Sequence, residues 1–564
     1  MCIVNGINKH SCRCHCEGDS QKQSPGLGLL HKCARSDNVL FVFIIAIFLT
    51  LFAFKAHAAQ EEKFFDVIGE ITYGEECLQS WQVEEASTVA DKLLLIARNN
   101  PYVCFFAGEV RFYEGNYQES LSFLREALKD PELAQKGKKF YDFVDKIYQT
   151  TSKFKEVRTE HFLFRYLEEK DAILADYALN TLGKAYAAIG NDLQYFPRKP
   201  VLVEVFPDAE SFCTISTLTK GEIETSGTVA ICLFNRVIIT SPRLLPRGYQ
   251  WLDTLTHEYV HYVIMKKTYN RVPIWLHEGI AKYEERRWLE SGSPTLPVSL
   301  ESLVAEAIEK DYFITFDQMH PSLAKLKKKE DTALAFAEVF TVIDYLVNQG
   351  GYPALVSILG GIRGGKSTED AVASAIGVPF DEFEKNWLHD LKQKKFRRIH
   401  GIQILPTKLK ETSAIVDDVE SVAEIEVKDA RKFAILGDLL RREGLHSAAI
   451  VEYEKAFRKA GNISPQIQNK LAMSYIMDTQ YAKAEEILKI ALEYYPEYTA
   501  TYISLGELYQ RKGEYDAAIE ILSQANHINP FNPIIHKNLA QLYQKLDRKD
   551  DAAIELKRLM MLTP

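Results

Sequence analysis

His257 and His261 stand four residues apart, with Glu258 beside the first, in Trp251-Leu-Asp-Thr-Leu-Thr-His-Glu-Tyr-Val-His261. On a helix that spacing puts both imidazoles on one face, one turn apart, where two nitrogens can share a single Zn²⁺. Glu258 can then reach a water at the metal's open position and act as general base, the metal bringing that water's pKa towards neutrality. A catalytic zinc takes three protein ligands and leaves one position open. Glu278, in Trp275-Leu-His-Glu-Gly-Ile-Ala-Lys-Tyr-Glu-Glu285, is the natural third ligand. The chemistry open to this set is metal-assisted hydrolysis.

Five-letter H-E-x-x-H matches are common in long chains, so the surrounding elements have to carry the reading. Leu252, Leu255, Tyr259, Val260, Val263 and Ile264 give the histidine helix a buried side. Pro273 then breaks the chain, and a second helix brings Glu278 back. The blander alternative is a core helix with two satisfied histidines and a surface glutamate. An adjacent acid and a second acid-bearing helix argue against it. Asp253 lies four residues before His257 on the same face and could hydrogen-bond a ligand imidazole; Glu285 is a second candidate for that support. Tyr283 or His277 could donate a hydrogen bond to a developing oxyanion.

H-E-x-x-H followed by W-L-x-E-G-x-A resembles the gluzincin zinc metallopeptidases, most closely the bacterial peptidase MA-like group. The resemblance runs from about Thr159 to about Leu391 and implies one Zn²⁺ held by His257, His261 and Glu278, with Glu258 as base. Sixteen residues separate His261 from Glu278, slightly fewer than in the aminopeptidase branch. Related families often place a tyrosine further downstream; here Ala333-Leu-Ala-Phe-Ala-Glu-Val-Phe340 offers phenylalanine, which leaves the oxyanion role unassigned. The implied fold is an α+β zincin-like domain over 154–396. An edge strand of its sheet should line the cleft and pair with extended substrate backbone.

At 564 residues the chain is too long for one core, and three or four domains are expected. With 46% apolar and 26% charged residues it is modular and globular, and a net charge of −9 gives no reason to expect nucleic-acid binding. Residues 1–58 read as an extension plus a signal. Val39 to Phe54 is an uncharged apolar run preceded by Lys32 and Arg35 and followed by Ala56-His-Ala58. That pattern fits a secretory signal cut after Ala58, or an uncleaved membrane anchor, and places the rest outside the cytoplasm. The family resemblance then implies the periplasm or envelope of a bacterium as the compartment. Nothing functional follows from Cys2, Cys12, Cys14, Cys16 and Cys33. Beyond the signal, Cys77, Cys104, Cys213 and Cys232 permit two disulfides between sequence neighbours, Cys77–Cys104 and Cys213–Cys232, or remain four buried thiols.

Residues 59–153 read as helical, and Asn100 to Leu128 resembles one tetratricopeptide repeat. A single repeat cannot bury its own face, so flanking helices must cover it. His161–Tyr166 and Val201–Phe206 are β-rich runs around a helix near Asp171 to Gly190, and Val229–Phe234 with Arg236–Thr240 predicts a hairpin turning at Asn235. Gly360-Gly-Ile-Arg-Gly-Gly365 lacks a Walker ending and reads as a loop between helices. After a linker over 397–428, Leu436-Gly437, Leu471-Ala472, Leu505-Gly506 and Leu539-Ala540 recur at intervals of 35, 34 and 34 residues. Ala449, Ala484, Ala518 and Ala552 follow at the helix crossings, which defines four tetratricopeptide repeats over 429–564. Together these give a multidomain chain: a peptidase-like α+β domain flanked by all-α regions and a C-terminal α-solenoid. The expected function is an exported peptidase acting on a protein or peptide, with the repeat groove docking a substrate or partner. The alternative is a repeat scaffold or envelope assembly factor whose peptidase-like domain binds metal without turnover.

Overall fold

The computed structural model describes residues 67–167, 170–289, 294–326, 328–399, 425 and 427–563. The apolar run at 39–54 lies outside them, as do most of the linker residues. Among the described residues, no helix is long and apolar enough to cross a membrane.

The described residues begin with a run of helices: α1 over 67–79, α2 (Val83–Ala97), α3 (Pro101–Tyr113), α4 (Tyr117–Ala127) and α5 (Pro131–Thr151). Asn100 and Asp130 start α3 and α5 by accepting hydrogen bonds from first-turn N–H groups, each followed by a proline that has no N–H to satisfy. A Cβ on Gly108 would sit 2.7 Å from the Leu124 side chain, so α3 and α4 cross at a residue without one.

A five-stranded sheet of order β1-β2-β3-β5-β4 follows. Its strands are β1 (Lys155–Arg158), β2 (Phe162–Tyr166), β3 (Val201–Phe206), β4 (Ala230–Leu233) and β5 (Arg236–Thr240). β2, β3 and β5 are parallel, while β1 and β4 run antiparallel at the two edges. The β4–β5 hairpin turns at Phe234 and Asn235, both at positive φ, the backbone of a tight two-residue hairpin. Helix α6 (Ala172–Leu193) crosses from β2 to β3, and α7 (Ala209–Ser216) with α8 (Lys220–Ser226) connects β3 to β4. β3 and β5 are buried along their whole length, as expected for central parallel strands.

The sheet carries a buried charge. Glu204 on β3 accepts from Tyr117 at 2.5 Å and lies 3.5 Å from both Arg165 and Arg236. Arg236 also reaches the Phe112 carbonyl, tying the helical preface to the sheet.

Helices α9 (Trp251–Thr268) and α10 (Ile274–Glu284) come next, then α11 (Val298–Lys310), α12 (Phe316–Met319), α13 (Lys329–Arg363), α14 (Thr368–Ile376) and α15 (Phe380–Gln393). The glycine run is not a loop throughout: α13, which is kinked at Gly351, continues to Arg363, and only Gly364 to Lys366 turns the chain. Successive i→i+4 bonding lets the apolar neighbours Leu359 and Ile362 stay in the core, which outweighs the helix cost of Gly360 and Gly361.

Four helix pairs close the chain: α16 (Lys428–Arg442) with α17 (His446–Ala460), α18 (Pro465–Met477) with α19 (Tyr481–Tyr494), α20 (Thr499–Lys512) with α21 (Tyr515–Ala525), and α22 (Pro533–Lys545) with α23 (Lys549–Leu562). Small residues set the crossings: a Cβ on Gly437 would lie 2.6 Å from the Tyr453 ring, and one on Gly506 2.6 Å from Leu522.

The four described cysteines are free thiols, so neither sequence-neighbour disulfide forms. Cys77 and Cys104 belong to separate apolar clusters, and the Cys104 Sγ donates to the Arg98 carbonyl at 3.2 Å. Cys232 lies on β4 in the main core, and Cys213 on α7 at its margin.

Arg236→Ala should leave Glu204 short of its fully buried partner and cost about 3–5 kcal/mol. Thermal unfolding of the variant should show a clear fall in midpoint; an unchanged midpoint would mean that the pair carries little.

Candidate metal centre

α9 is buried along most of its length although half its residues are polar, because it is packed between the sheet and other helices. It ends at Tyr269, whose left-handed backbone donates to the Met265 carbonyl; Asn270 is also left-handed, and Pro273 starts α10. This tight reversal lays α10 against α9. Gly279 sets how deep it goes. A Cβ there would stand 2.9 Å from both the Val339 carbonyl and Ile343 Cγ1 of α13. Only hydrogen fits, so the residue beside Glu278 rests on the α13 backbone.

The consequence is convergence. Glu278 Oε2 lies 3.4 Å from His257 Nε2 and 3.3 Å from His261 Nε2. One ligand atom from each of the three residues falls within 4.8 Å of the other two, the arrangement needed to hold one metal ion. The donor set, two imidazoles and a carboxylate, suits zinc. The rings of His257 and His261 stand at 89° with centroids 4.6 Å apart.

Support comes from the second candidate. Glu285 Oε2 is 3.3 Å from His257 Nδ1, and its Oε1 accepts from Lys282 at 2.6 Å. A carboxylate at Nδ1 leaves Nε2 free to face the metal position. Asp253 faces elsewhere: it accepts from Trp288 Nε1 at 2.9 Å and pairs with Arg286 at 3.4 Å. Tyr283 packs on Phe340 of α13, with ring centroids 5.4 Å apart, and does not line the cavity. His277 does line it, stacked on His261 at 4.3 Å, with Nε2 buried and without a protein partner.

The three candidate ligands and Glu258 line one cavity of about 400 Å³. Its walls include the edge strand β4, Phe336 of α13 and Leu323. Lys282 also lines it. It was not singled out in the sequence, although its position one turn after Glu278 was a usable signal.

The electrostatics are those of charges brought into a core. Burial alone would lower the His257 pKa, but hydrogen bonds with Glu278 and Glu285 and the charge of Glu258 outweigh it and carry it up to about 10. Burial alone would raise Glu278, yet His261 and His257 hold its carboxyl well below the usual range. Burial wins at Glu258, which is raised despite the pull of both histidines. Desolvation, reinforced by His261, keeps His277 neutral.

Residues 184–393 match the Peptidase MA superfamily, and residues 475–537 and 510–564 match the tetratricopeptide repeat. The chain therefore carries a Peptidase MA superfamily domain followed by C-terminal tetratricopeptide repeats. A stretch of 103 residues is 36% identical to BBSome complex member BBS4 of Bos taurus, taking in 18% of this chain and 20% of that protein. The chain thus spans about a fifth of the curated relative it matches. Among solved structures it is similar to a thermophilic tetratricopeptide protein of Thermus thermophilus, at 25% identity over 24% of this chain and 74% of that one, with a TM-score of 0.22. It is also similar to MamA from Desulfovibrio magneticus, at 20% identity over 24% and 77%, TM-score 0.22. The first repeat domain of Spaghetti (RPAP3), bound to an HSP90 peptide, matches at 20% identity over 22% and 97%, TM-score 0.21.

Two outcomes are expected. Gly279→Ala should push α10 off α13, draw Glu278 away from the histidines and weaken zinc binding about 10-fold or more, read by competition with a chromophoric chelator. His257 carries a proton in the metal-free protein below about pH 10 and must lose it to bind metal, so zinc affinity should rise with pH. Calorimetry in buffers of different ionisation enthalpy should show about one proton released per zinc at neutral pH.

Proposed function

We propose that the chain is a zinc metallopeptidase of gluzincin type that hydrolyses peptide bonds, exported to a bacterial envelope, with its repeats docking a protein substrate or partner. One observation carries the reading: two imidazole nitrogens and the Glu278 carboxylate meet at one point of a cavity that Glu258 also lines. His257, His261 and Glu278 would hold the ion. When bound, zinc supplies Lewis-acid polarisation of the scissile carbonyl and lowers the pKa of the attacking water.

The remaining work falls to the chain. Glu258 removes the water's proton and passes it to the leaving amine, and burial, which raises its pKa, favours its holding that proton in between. Glu285 holds His257 through Nδ1, and Lys282 neutralises that carboxylate. β4, at the sheet edge and in the cavity wall, gives extended substrate backbone a strand to pair with. Export rests on the apolar run at 39–54 with its basic approach and Ala-His-Ala ending.

The rival reading, a scaffold that holds metal without turnover, draws on Phe336 standing in the cavity wall where an oxyanion donor would be useful. Activity separates the two. Glu258→Gln should keep its zinc and lose about 10²–10⁴-fold in casein or peptide hydrolysis. His261→Ala should lose the metal. Full hydrolysis by Glu258→Gln would remove the proposed base, and wild-type protein that retains zinc but cleaves nothing would establish the scaffold.

A further inference from the structure

The first turn of α9 has no capping side chain of its own. Its support comes from the repeat array, more than two hundred residues further along the chain. In the turn between α21 and α22, the His527 carbonyl accepts from the Trp251 N–H at 3.2 Å and the Ile528 carbonyl from the Tyr249 N–H at 3.1 Å. The Asn526 carbonyl accepts from the Trp251 indole at 3.0 Å. The preceding repeat turn adds two bonds: Gln250 Nε2 donates to the Pro496 carbonyl at 3.1 Å, and Thr499 Oγ1 to the Arg247 carbonyl at 3.2 Å.

These contacts are close and dry. Trp251 is fully buried, and Phe531 and Leu562 of the last repeat belong to the same apolar core as α9. Gly248 has φ +72°, and a Cβ on it would stand 2.2 Å from the Ile528 carbonyl. The same turn also reaches the second ligand helix. His527 packs edge-on against Trp288, just beyond α10, with centroids 5.1 Å apart. Trp288 in turn donates to Asp253 of α9.

The start of α9 and the segment just beyond α10 therefore meet one turn of the repeat array. His257 lies less than two turns along α9 from Trp251, so a tilt at the helix start moves its imidazole. We propose that the 526–528 turn positions the metal site: Trp251, His527 and Trp288 hold α9 and α10 in register, and the repeats complete the site rather than only docking a partner. This rests on the metallopeptidase reading, and it makes these three positioning residues, not catalytic ones.

The test uses the full chain with four variants. Trp251→Phe removes the indole N–H and keeps a ring; His527→Ala removes the contact on Trp288; Gly248→Ala drives the turn off α9. Gly437→Ala disturbs the first repeat, away from the junction, as a control. Zinc affinity is read by chelator competition, and hydrogen exchange of residues 251–257 is followed in metal-free protein. The junction variants should weaken zinc binding about 10-fold or more, as loss of outer support does elsewhere. They should speed exchange in the first turn of α9 and lower kcat more than KM, with Trp251→Phe the mildest. Gly437→Ala should do none of this. If His527→Ala and Trp251→Phe fold, bind zinc and turn over as wild type does, the positioning role is overturned even if Gly248→Ala fails to fold. Wild-type protein that binds no zinc would sink the peptidase reading and this one together. Wild type that binds zinc while no junction variant changes its affinity would sink this one alone.

Discussion

Glu278 is a carboxylate half-buried in the wall of a cavity, and such a group is stable there when opposite charge or hydrogen-bond donors surround it. Here two imidazoles do so, and one of them is itself held by Glu285, which Lys282 neutralises. The cluster explains why α9 and α10 lie as they do. Neither helix could bury its charged residue alone. Placed together, at a distance set by the bare Cα of Gly279 on α13, each supplies what the other lacks. A metal ion held at the shared point would replace the proton that His257 otherwise carries.

The scaffold around this cluster is layered by function. The sheet buries its two central parallel strands and leaves β4 at the edge, beside the cavity. The helical preface is fastened to the sheet by the Glu204–Arg236–Tyr117 cluster, so the isolated repeat at α3–α4 is covered by the domain that follows it. The last two repeats are fastened by their inter-repeat turns to the start of α9. A solenoid is usually discussed through its groove, but here the turns between its repeats make the contacts with the start of α9.

The candidate metal ligands were legible because they are local: an i, i+4 histidine pair with its acid, and a second acid just beyond a proline break. Their supports were not. Asp253 and Glu285 looked equally suited, because helical spacing reports which face a residue occupies and not what crosses from the next helix. Trp288 and Arg286 claim Asp253, leaving Glu285 for His257. Tyr283 was equally plausible until α13 covered it with Phe340. The Cys77–Cys104 pairing failed for the same reason, since closeness in sequence does not align two Sγ atoms across separate clusters.

What the amino-acid order determined alone is whatever repeats or pairs within one or two turns: the H-E-x-x-H face, the hairpin at Asn235, and the thirty-four-residue beat of the solenoid with its small residues at each crossing. Those patterns are set by backbone period, which any short window contains. Tertiary structure alone decided the depth of α10 against α13, the partner of His257 Nδ1, and the docking of the 526–528 turn on Trp251. These depend on where distant backbones meet, and a carbonyl that accepts from another domain leaves no mark in the side chain that carries it.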